Sequence, residues 1–190
     1  MKDNRWFANF WSCATRFEDK HTREVRRELV RAARGRVIEI GCGVGAELQI
    51  LRRRFPQLNF TGLDFSESQL AKARELLHTE LDAGAVELRA GSAYELPFAD
   101  DSFDGVCLIW VLEHLSEPVR ALREARRVLR PGGVLSVTEV FNAGLRVEPA
   151  CPAMATYWRA FDELQRQLGG APDVCAELGD REPATPRHDL

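Results

Sequence analysis

The sequence lacks the features that mark membrane-inserted and secreted proteins. In its 190 residues, no apolar run approaches the roughly 18 residues that a membrane-spanning helix needs. The first residues, Met1–Asn4, are not followed by the long apolar core of a signal peptide. We therefore expect a cytoplasmic protein without stable membrane insertion.

The sequence also lacks paired cysteines and clustered metal ligands. Its five cysteines are widely spaced and never form a C-x-x-C pair, which argues against a disulfide framework and against a zinc motif. The four histidines are scattered without the spacing of metal ligands. We expect no bound metal, and we expect that small size alone explains Cys42.

The chain has little net charge, with a formal value of −3 at pH 7. This balance offers no bulk attraction to nucleic acid. A hydrophobic content of 45% is ordinary for a globular protein, and 190 residues are enough for one domain with a sizeable core. We expect a small-molecule partner and no nucleic acid, while the oligomeric state stays open.

What the sequence does contain is an apolar, β-branched run that ends in three glycines at alternate positions. The run over 37–40 favours a buried strand, and residues 46–54 have the composition of a helix. Gly41, Gly43 and Gly45 allow positive φ and leave the backbone bare of Cβ atoms. The pattern predicts a strand, a tight turn and a helix whose free N–H groups point at a ligand. A turn without any ligand is the alternative.

A second strand-like segment, 58–64, ends in an acid. In a doubly wound sheet the end of this strand lies beside the end of the first, so Asp64 can accept the ribose hydroxyls of an adenosine group. The alternative is an N-cap for the next helix. Ser66 is the better cap, which leaves Asp64 for the ligand.

Five strand-like segments, near residues 37, 59, 86, 105 and 134, alternate with helix-length segments. The alternation predicts an α/β fold: a doubly wound, Rossmann-like, mostly parallel sheet with helices on both faces. We divide this single domain into an N-terminal helical cap over 1–34, an α/β core over 35–142, and a C-terminal helix with a polar tail over 143–190.

Four segments resemble one family in order and spacing. They are the G-x-G-x-G loop preceded by Glu39, the acid at Asp64, the loop Gly91–Phe98, which resembles G-D-A-x-x-L-P-F, and the segment L-R-P-G-G-V-L before the fifth strand. Over roughly 35–140 the chain resembles the class I S-adenosylmethionine-dependent methyltransferases, of the type 11 or ubiquinone-menaquinone biosynthesis kind.

The resemblance implies S-adenosyl-L-methionine as cofactor. The glycines would admit its methionine part, Glu39 would approach its amino group, and Phe65 and Ala93 would flank its adenine. The family's acid that binds the adenine amino group is here Ser92, whose hydroxyl can still accept one bond. The implied cofactor-binding residues are Glu39, Gly41, Cys42, Gly43, Gly45, Asp64, Phe65, Ser92, Ala93 and Trp110.

The implied function is methyl transfer to a small, apolar or aromatic molecule (EC 2.1.1.-). If the acceptor needs a base, His114 is the best placed, because it follows the fourth strand at its carboxyl end; a solvent-facing or helix-capping histidine is the alternative. A non-catalytic cofactor-binding or partner-binding protein is the second interpretation of the chain. An NAD(P)-dependent oxidoreductase is the third, and the early third glycine argues against it.

Three segments lie outside the matched core. Aromatic residues over 5–17 predict a helix that packs on the domain, a lid over the site, or a peripheral membrane contact. An apolar stripe over 154–168 predicts a helix that packs in the core or lines a pocket. Residues 179–190 are polar and twice interrupted by proline. We therefore expect a C-terminal truncation without the family's usual last two strands, and a bare edge on the fifth strand.

Overall fold

The computed structural model describes residues 35–139 and 149–176. These residues separate into two compact units. The core unit comprises 35–111 and 119–138, and the C-terminal unit comprises 112–118, 139 and 149–176. The aromatic N-terminal segment, the predicted cap over 1–34 and the polar tail lie outside the described residues.

The core unit is built on a five-stranded sheet with the order β3-β2-β1-β4-β5. Every neighbouring pair of strands is parallel, which confirms the predicted doubly wound fold. The chain adds strands first to one side of β1 and then to the other, so a topological switch point lies between β1 and β4. The strands are β1 Arg36–Ile40, β2 Asn59–Asp64, β3 Val86–Ala90, β4 Phe103–Ile109 and β5 Leu129–Thr138.

The helices differ from the predicted ones at one place. The apolar periodicity from Ser66 to about Asp82 predicts one helix. The structure has two, because Leu77 leaves the helical conformation while its side chain is fully buried. The periodic apolar pattern continues across this break, so the pattern could not reveal it. The helices are α1 Ala46–Arg54, α2 Glu67–Leu76, α3 His78–Asp82, α4 Pro118–Val128 and α5 Pro152–Gln167, and Leu112–His114 is a 3₁₀ turn.

The last described strand starts earlier than the sequence indicates. Pro131-Gly132-Gly133 predicts the end of a helix and a break before the next strand, yet β5 begins directly after α4 and contains these residues. The pairing of β4 with β5 shifts register between Phe103 and Gly105, and such a bulge accommodates proline and glycine within a strand. Within the described residues β5 is an edge strand.

The centre of the sheet forms the core. Ile38, Ile40, Val106 and Leu108 on β1 and β4 are fully buried, as expected for parallel strands that are covered on both faces. No helix within 35–139 and 149–176 is long and apolar enough to cross a membrane.

In the C-terminal unit, the predicted helix forms as α5, but its apolar stripe is not a core. Met154, Tyr157, Leu164 and Leu168 are exposed, and the buried residue of the helix is the polar Gln165. The default interpretation of this stripe as core packing is therefore wrong for these four residues. The pocket-wall alternative stays a prediction.

Candidate cofactor site

The loop between β1 and α1 is fastened to the end of β2 by its own backbone. Gly41 N and Cys42 N both donate to the carbonyl oxygen of Leu63, at 2.7 and 3.0 Å. Gly43 N donates to Oδ2 of Asp64 at 2.8 Å, and Gly45 N donates to Cys42 O at 2.8 Å. These four N–H groups, which precede α1, are therefore already bonded within the protein, while the predicted ligand donors, the free N–H groups at the start of α1, stay a prediction.

This use of the donors changes the kind of ligand that fits. A phosphate needs N–H groups that point at it, whereas a ligand with its own donors needs acceptors. With the N–H groups of 41, 42, 43 and 45 already bonded within the protein, the loop suits a ligand that donates hydrogen bonds.

The three glycines of the loop have different reasons for lacking a side chain. All three have positive φ, from 52° to 77°, which disfavours other residues. A Cβ on Gly41 would lie 2.5 Å from Cγ2 of Val111, and a Cβ on Gly45 would lie 2.6 Å from Cδ1 of Leu77. Within the described residues, a Cβ on Gly43 would meet nothing within 4 Å. At Gly41 and Gly45, neighbouring side chains leave no room for a Cβ atom, whereas Gly43 faces open space.

Cys42 contributes to the loop through its main-chain N–H group, which donates to Leu63 O. Its side chain is buried in the core, where its Sγ would be 2.8 Å from a Cβ built on Gly62. Burial raises the pKa of the Cys42 thiol, and the nearby carboxyl of Glu39 raises it further. A thiolate is disfavoured there, so reactive thiol chemistry is disfavoured too.

Two buried carboxyl groups lie beside the loop. Glu39 on β1 is 3% exposed, and within the described residues its Oε2 has no hydrogen-bond partner. Burial raises the pKa of Glu39 well above its ordinary value, and the charges of Glu47 and Asp64 raise it further. Such a group is costly unless a positive or donating partner arrives.

Asp64 is buried as well, and it holds the loop. Its Oδ1 accepts from Ser66 N at 2.9 Å, while its Oδ2 accepts from Gly43 N. Burial raises the pKa of Asp64, and these N–H groups offset the rise only in part. Each carboxylate oxygen has a further lone pair. Ser66 starts α2 without a side-chain cap bond, so the structure does not show the cap that Ser66 was expected to supply; Asp64 bonds the N–H group of Ser66 itself.

None of the ion pairs within the described residues includes Glu39 or Asp64. The loop and these two carboxyl groups therefore present acceptors without a matching cation. We call Glu39, Asp64 and the loop 41–45 the acceptor cluster. Its chemistry fits a ligand that is positively charged and carries hydroxyl or amino donors.

The predicted adenine-side residues follow β2 and β3. Phe65 is 86% exposed directly after Asp64, so a large apolar ring lies in solvent beside the acceptor cluster. The exposed Ser92 uses its Oγ to accept from Tyr94 N at 3.1 Å, and Ala93 is half-buried in the same loop.

Trp110 follows β4 in a conformation that is unusual for its type. Its φ is 55°, in the left-handed region that bulky residues rarely adopt. Its N–H donates to Thr138 O at 2.8 Å, which ties this turn to the end of β5. Non-glycine residues held in this way cluster at functional sites, but the sequence gives no local signal for it.

His114 lies in the C-terminal unit within a polar group that the sequence did not predict. Gln165 Nε2 donates to Oε2 of Glu113 at 3.0 Å and lies 3.3 Å from Nδ1 of His114. His114 Nε2 is 3.6 Å from Oε1 of Glu113. Because a carboxylate only accepts, the NH₂ end of Gln165 faces it, so Nδ1 of His114 is an acceptor and Nε2 carries the proton.

Burial lowers the pKa of His114, against the opposing charge of Glu113. Glu113 and Gln165 are each 6% exposed, whereas the side chain of His114 is 36% exposed, as the alternative of a solvent-facing histidine expects. We call Glu113, His114 and Gln165 the matched cluster, because its donors face acceptors. Gln165 lies seven residues after Trp158, and this helical spacing within the stripe was the signal that could have pointed to it.

Within the described residues, no group of three or more histidine, cysteine or acidic side chains could hold a metal ion.

The predicted cofactor-binding residues of the core unit are the ones that β1, β2, β3 and β4 carry at their carboxyl ends. This is the edge at which open α/β sheets bind ligands.

Curated relatives of this chain are methyltransferases. The O-methyltransferase resE of Aspergillus sclerotiorum is 35% identical over 162 residues, which are 79% of this chain and 59% of the relative. The demethylmenaquinone methyltransferase of Desulfitobacterium hafniense (strain Y51) is 34% identical over 154 residues, 80% of this chain and 58% of the relative. The chain thus spans less than two thirds of the length of either protein.

A solved structure that is similar to this chain is also that of a methyltransferase. The phosphoethanolamine N-methyltransferase 2 of Haemonchus contortus, in complex with S-adenosyl-L-methionine, aligns with a TM-score of 0.59 and 25% identity over 82% of this chain and 35% of that one. The profile of a family described as "Methyltransferase domain" matches residues 38–137, more than half of the chain. The chain therefore belongs to this methyltransferase domain family, within the class I S-adenosylmethionine-dependent methyltransferases.

Proposed function

We propose that the acceptor cluster binds S-adenosyl-L-methionine. The observation that supports this most is the buried Glu39, whose Oε2 finds no hydrogen-bond partner within the described residues. The cofactor carries an ammonium and a sulfonium, and its ribose donates two hydroxyl groups. A cationic donor ligand stabilises a buried carboxyl group in its ionised form, in which both oxygens are acceptors.

Each residue has a proposed role that follows from its placement. Gly43 gives the ligand access to bare backbone, and Glu39 accepts from the ammonium group. Asp64 accepts from the ribose hydroxyls with the lone pairs that Gly43 and Ser66 do not use. Phe65 covers the adenine, with Ser92 and Ala93 from the next loop.

The bonding of the loop argues against a nicotinamide cofactor. A dinucleotide places its pyrophosphate on free N–H groups at a helix N-terminus. Four N–H groups that precede α1 are already bonded within the protein, which would leave a pyrophosphate mainly the N–H groups of the first turn of α1. Acidic neighbours would also repel the phosphates. A spectral titration with NADH tests this alternative, and we expect no saturable signal.

The proposed reaction is methyl transfer to a small, apolar or aromatic molecule. When bound, the cofactor supplies a methyl group that its sulfonium already activates. The protein then needs mainly to align the acceptor and exclude water. Two relatives are named for O-methylation and for demethylmenaquinone, and these names support an acceptor of this class.

We propose His114 as the base where the acceptor must lose a proton. Nδ1 of His114 already faces an amide donor from Gln165 at 3.3 Å, so this nitrogen must separate from Gln165 before it can take a proton. Turnover of His114→Ala measures the role. Full turnover in this variant would remove His114 from the mechanism.

The proposed partner is a small-molecule acceptor, with no nucleic acid. We also propose that the protein acts in the cytoplasm. The net charge of −3 supports the absence of nucleic acid from the reaction. A titration with duplex DNA and with RNA tests this part, and saturable binding to either at physiological salt would contradict it.

The decisive experiment separates binding from transfer. Calorimetry with S-adenosyl-L-methionine and with S-adenosylhomocysteine is expected to give saturable heat with both. Incubation with methyl-labelled cofactor and a metabolite extract is expected to give a labelled product, and Asp64→Ala is expected to give less. Binding without product would favour the non-catalytic interpretation. A folded sample without heat for either ligand would overturn the proposal.

A further inference from the structure

Helix α4 fixes the loop 91–98 through one guanidinium group. All five N–H donors of Arg127 are bonded. Nε donates to Oε1 of Glu124 and one NH₂ group donates to its Oε2, both at 2.8 Å. The remaining donors reach the carbonyl oxygens of Phe98 at 2.8 Å and Leu96 at 3.0 Å, and Oδ1 of Asp100 at 2.8 Å.

Two further residues on the same face of α4 hold the loop. Oε2 of Glu124 accepts from Leu96 N at 2.8 Å, so the peptide units on both sides of this residue are fixed. The guanidinium of Arg120 lies 5.4 Å from the centre of the Tyr94 ring, a cation–π distance. Arg120, Glu124 and Arg127 follow helical spacing.

The bonds that the loop 91–98 makes to itself are short-range: Tyr94 N donates to Ser92 Oγ at 3.1 Å, and Phe98 N donates to Leu96 O at 2.8 Å. Gly91 N donates to Asp64 O at 3.0 Å, which fixes its start, and Glu95 N donates to Ser92 O at 3.2 Å. Its other end depends on α4. Ser92 and Ala93, which carry the proposed adenine contacts, lie between these two attachments. Neither is bonded to Arg127 or Glu124 in the contacts above, so α4 acts on them through the loop.

We infer that Glu124 and Arg127 are positioning residues for adenine recognition. The inference rests on the proposed cofactor. The planar guanidinium of Arg127 has a fixed geometry, so it sets where the loop places Ser92. The hydroxyl of Ser92 is short and reaches the adenine only when the loop is in the correct position. Lysine keeps the charge of arginine but loses the fork, so Arg127→Lys separates geometry from charge.

The test compares two ligands in three proteins. Calorimetry below the melting temperature gives the affinities of S-adenosylhomocysteine and S-inosylhomocysteine, which differ at the adenine amino position. In Arg127→Lys we expect roughly a tenfold loss for the adenosyl ligand and a smaller loss for the inosyl ligand. The control, Arg123→Lys, changes an exposed residue of the same helix and should leave both affinities unchanged.

A double mutant sharpens the test. If Arg127 acts through the loop, Ser92→Ala should weaken adenosyl binding in the wild type and have little effect in the Arg127→Lys background. If Arg127→Lys does not fold, Glu124→Gln takes its place in both comparisons. Equal losses for the two ligands, or additive losses in the double mutant, would overturn the inference. If the wild type binds neither ligand, the proposed cofactor fails instead.

Discussion

The molecule contains two polar clusters that differ in how well their groups are matched. Glu39 and Asp64 of the first are buried, whereas the second combines the buried Glu113 and Gln165 with the exposed His114. The acceptor cluster of the core unit consists of Glu39, Asp64 and a loop whose N–H groups are largely used. In the matched cluster of the C-terminal unit, the amide of Gln165 supplies donors to Glu113 and His114. One cluster is therefore short of donors, and the other provides its own.

The difference between the two clusters shows which of them needs a ligand. Buried polar groups without partners cost free energy, and a protein keeps them where a ligand completes the bonding. The matched cluster has no such deficit in its internal contacts. A shortage of donors at the acceptor cluster thus points to a donor ligand, and the cation of the proposed cofactor meets this need.

The largest effect is expected from Glu39→Gln, which removes the buried acid and keeps its shape. Affinity for S-adenosyl-L-methionine should fall by about 1.5–3 kcal/mol, the range for hydrogen bonds to a charged group. The ligand-free protein should gain about 1 kcal/mol of unfolding free energy at neutral pH. Calorimetry and thermal unfolding measure the two changes.

The pH dependence of this gain follows from the raised pKa of Glu39. Because the folded state favours the protonated acid, the contribution of Glu39 to stability is complete below its unfolded-state pKa of 4.5. This contribution is lost as the pH rises through the folded-state pKa. The gain from glutamine should therefore disappear in acid. Glu75→Gln, at an exposed position, is the control. An unchanged affinity in Glu39→Gln would contradict the comparison.

A smaller effect is expected from Gly43→Ala, matched with Gly84→Ala. Both glycines have positive φ, 52° and 64°, and neither has a described neighbour within 4 Å of an added Cβ. Both variants should lose about 1 kcal/mol of stability. Only Gly43→Ala should weaken cofactor binding, by roughly tenfold. Equal affinities in the two variants would show that Gly43 does not face the ligand.

The smallest effect is expected from Gln165→Met, which keeps the length of the side chain and removes its amide. Stability should fall by about 1 kcal/mol, because Glu113 and His114 lose their donor. Nitrogen NMR should show His114 protonated at Nε2 in the wild type and at either nitrogen in the variant. The same tautomer mixture in both proteins would contradict the assigned bonding.

The pKa of His114 gives this prediction a second readout. Since burial lowers this pKa below 6.5, the unfolded state binds more protons, and stability falls as the pH drops below that value. Without the amide donor of Gln165 facing it, Nδ1 of His114 can be protonated more easily. We therefore expect a higher pKa for His114 in Gln165→Met.

Local patterns in the sequence predicted the strands, the glycine loop and the acids at the strand ends. The alternation of β-branched runs with helix-length segments is a property of neighbouring residues, so it needs no tertiary information. The prediction that 66–82 is one helix failed, because the periodic apolar pattern continues through Leu77, where the backbone leaves the helical conformation. Helical spacing places Gln165 within the stripe, but its partners lie about fifty residues away, so the pattern could not reveal the polar group that it joins.

The roles of the loop glycines show the same limit of local reasoning. Gly41 is fixed by Val111, and the N–H groups of the loop are consumed by Leu63 and Asp64. None of these partners is adjacent in sequence. The sequence could therefore predict a ligand loop, but not that its donors were already used.

Proton release on binding tests the central claim most directly. Calorimetric titrations with S-adenosyl-L-methionine at several pH values, each in two buffers of different ionisation enthalpy, count the protons exchanged. Because the ligand is cationic and the pKa values of Glu39 and Asp64 are raised, binding should release protons. The release should shrink in Glu39→Gln. Binding without proton release, or tighter binding at lower pH, would contradict the account.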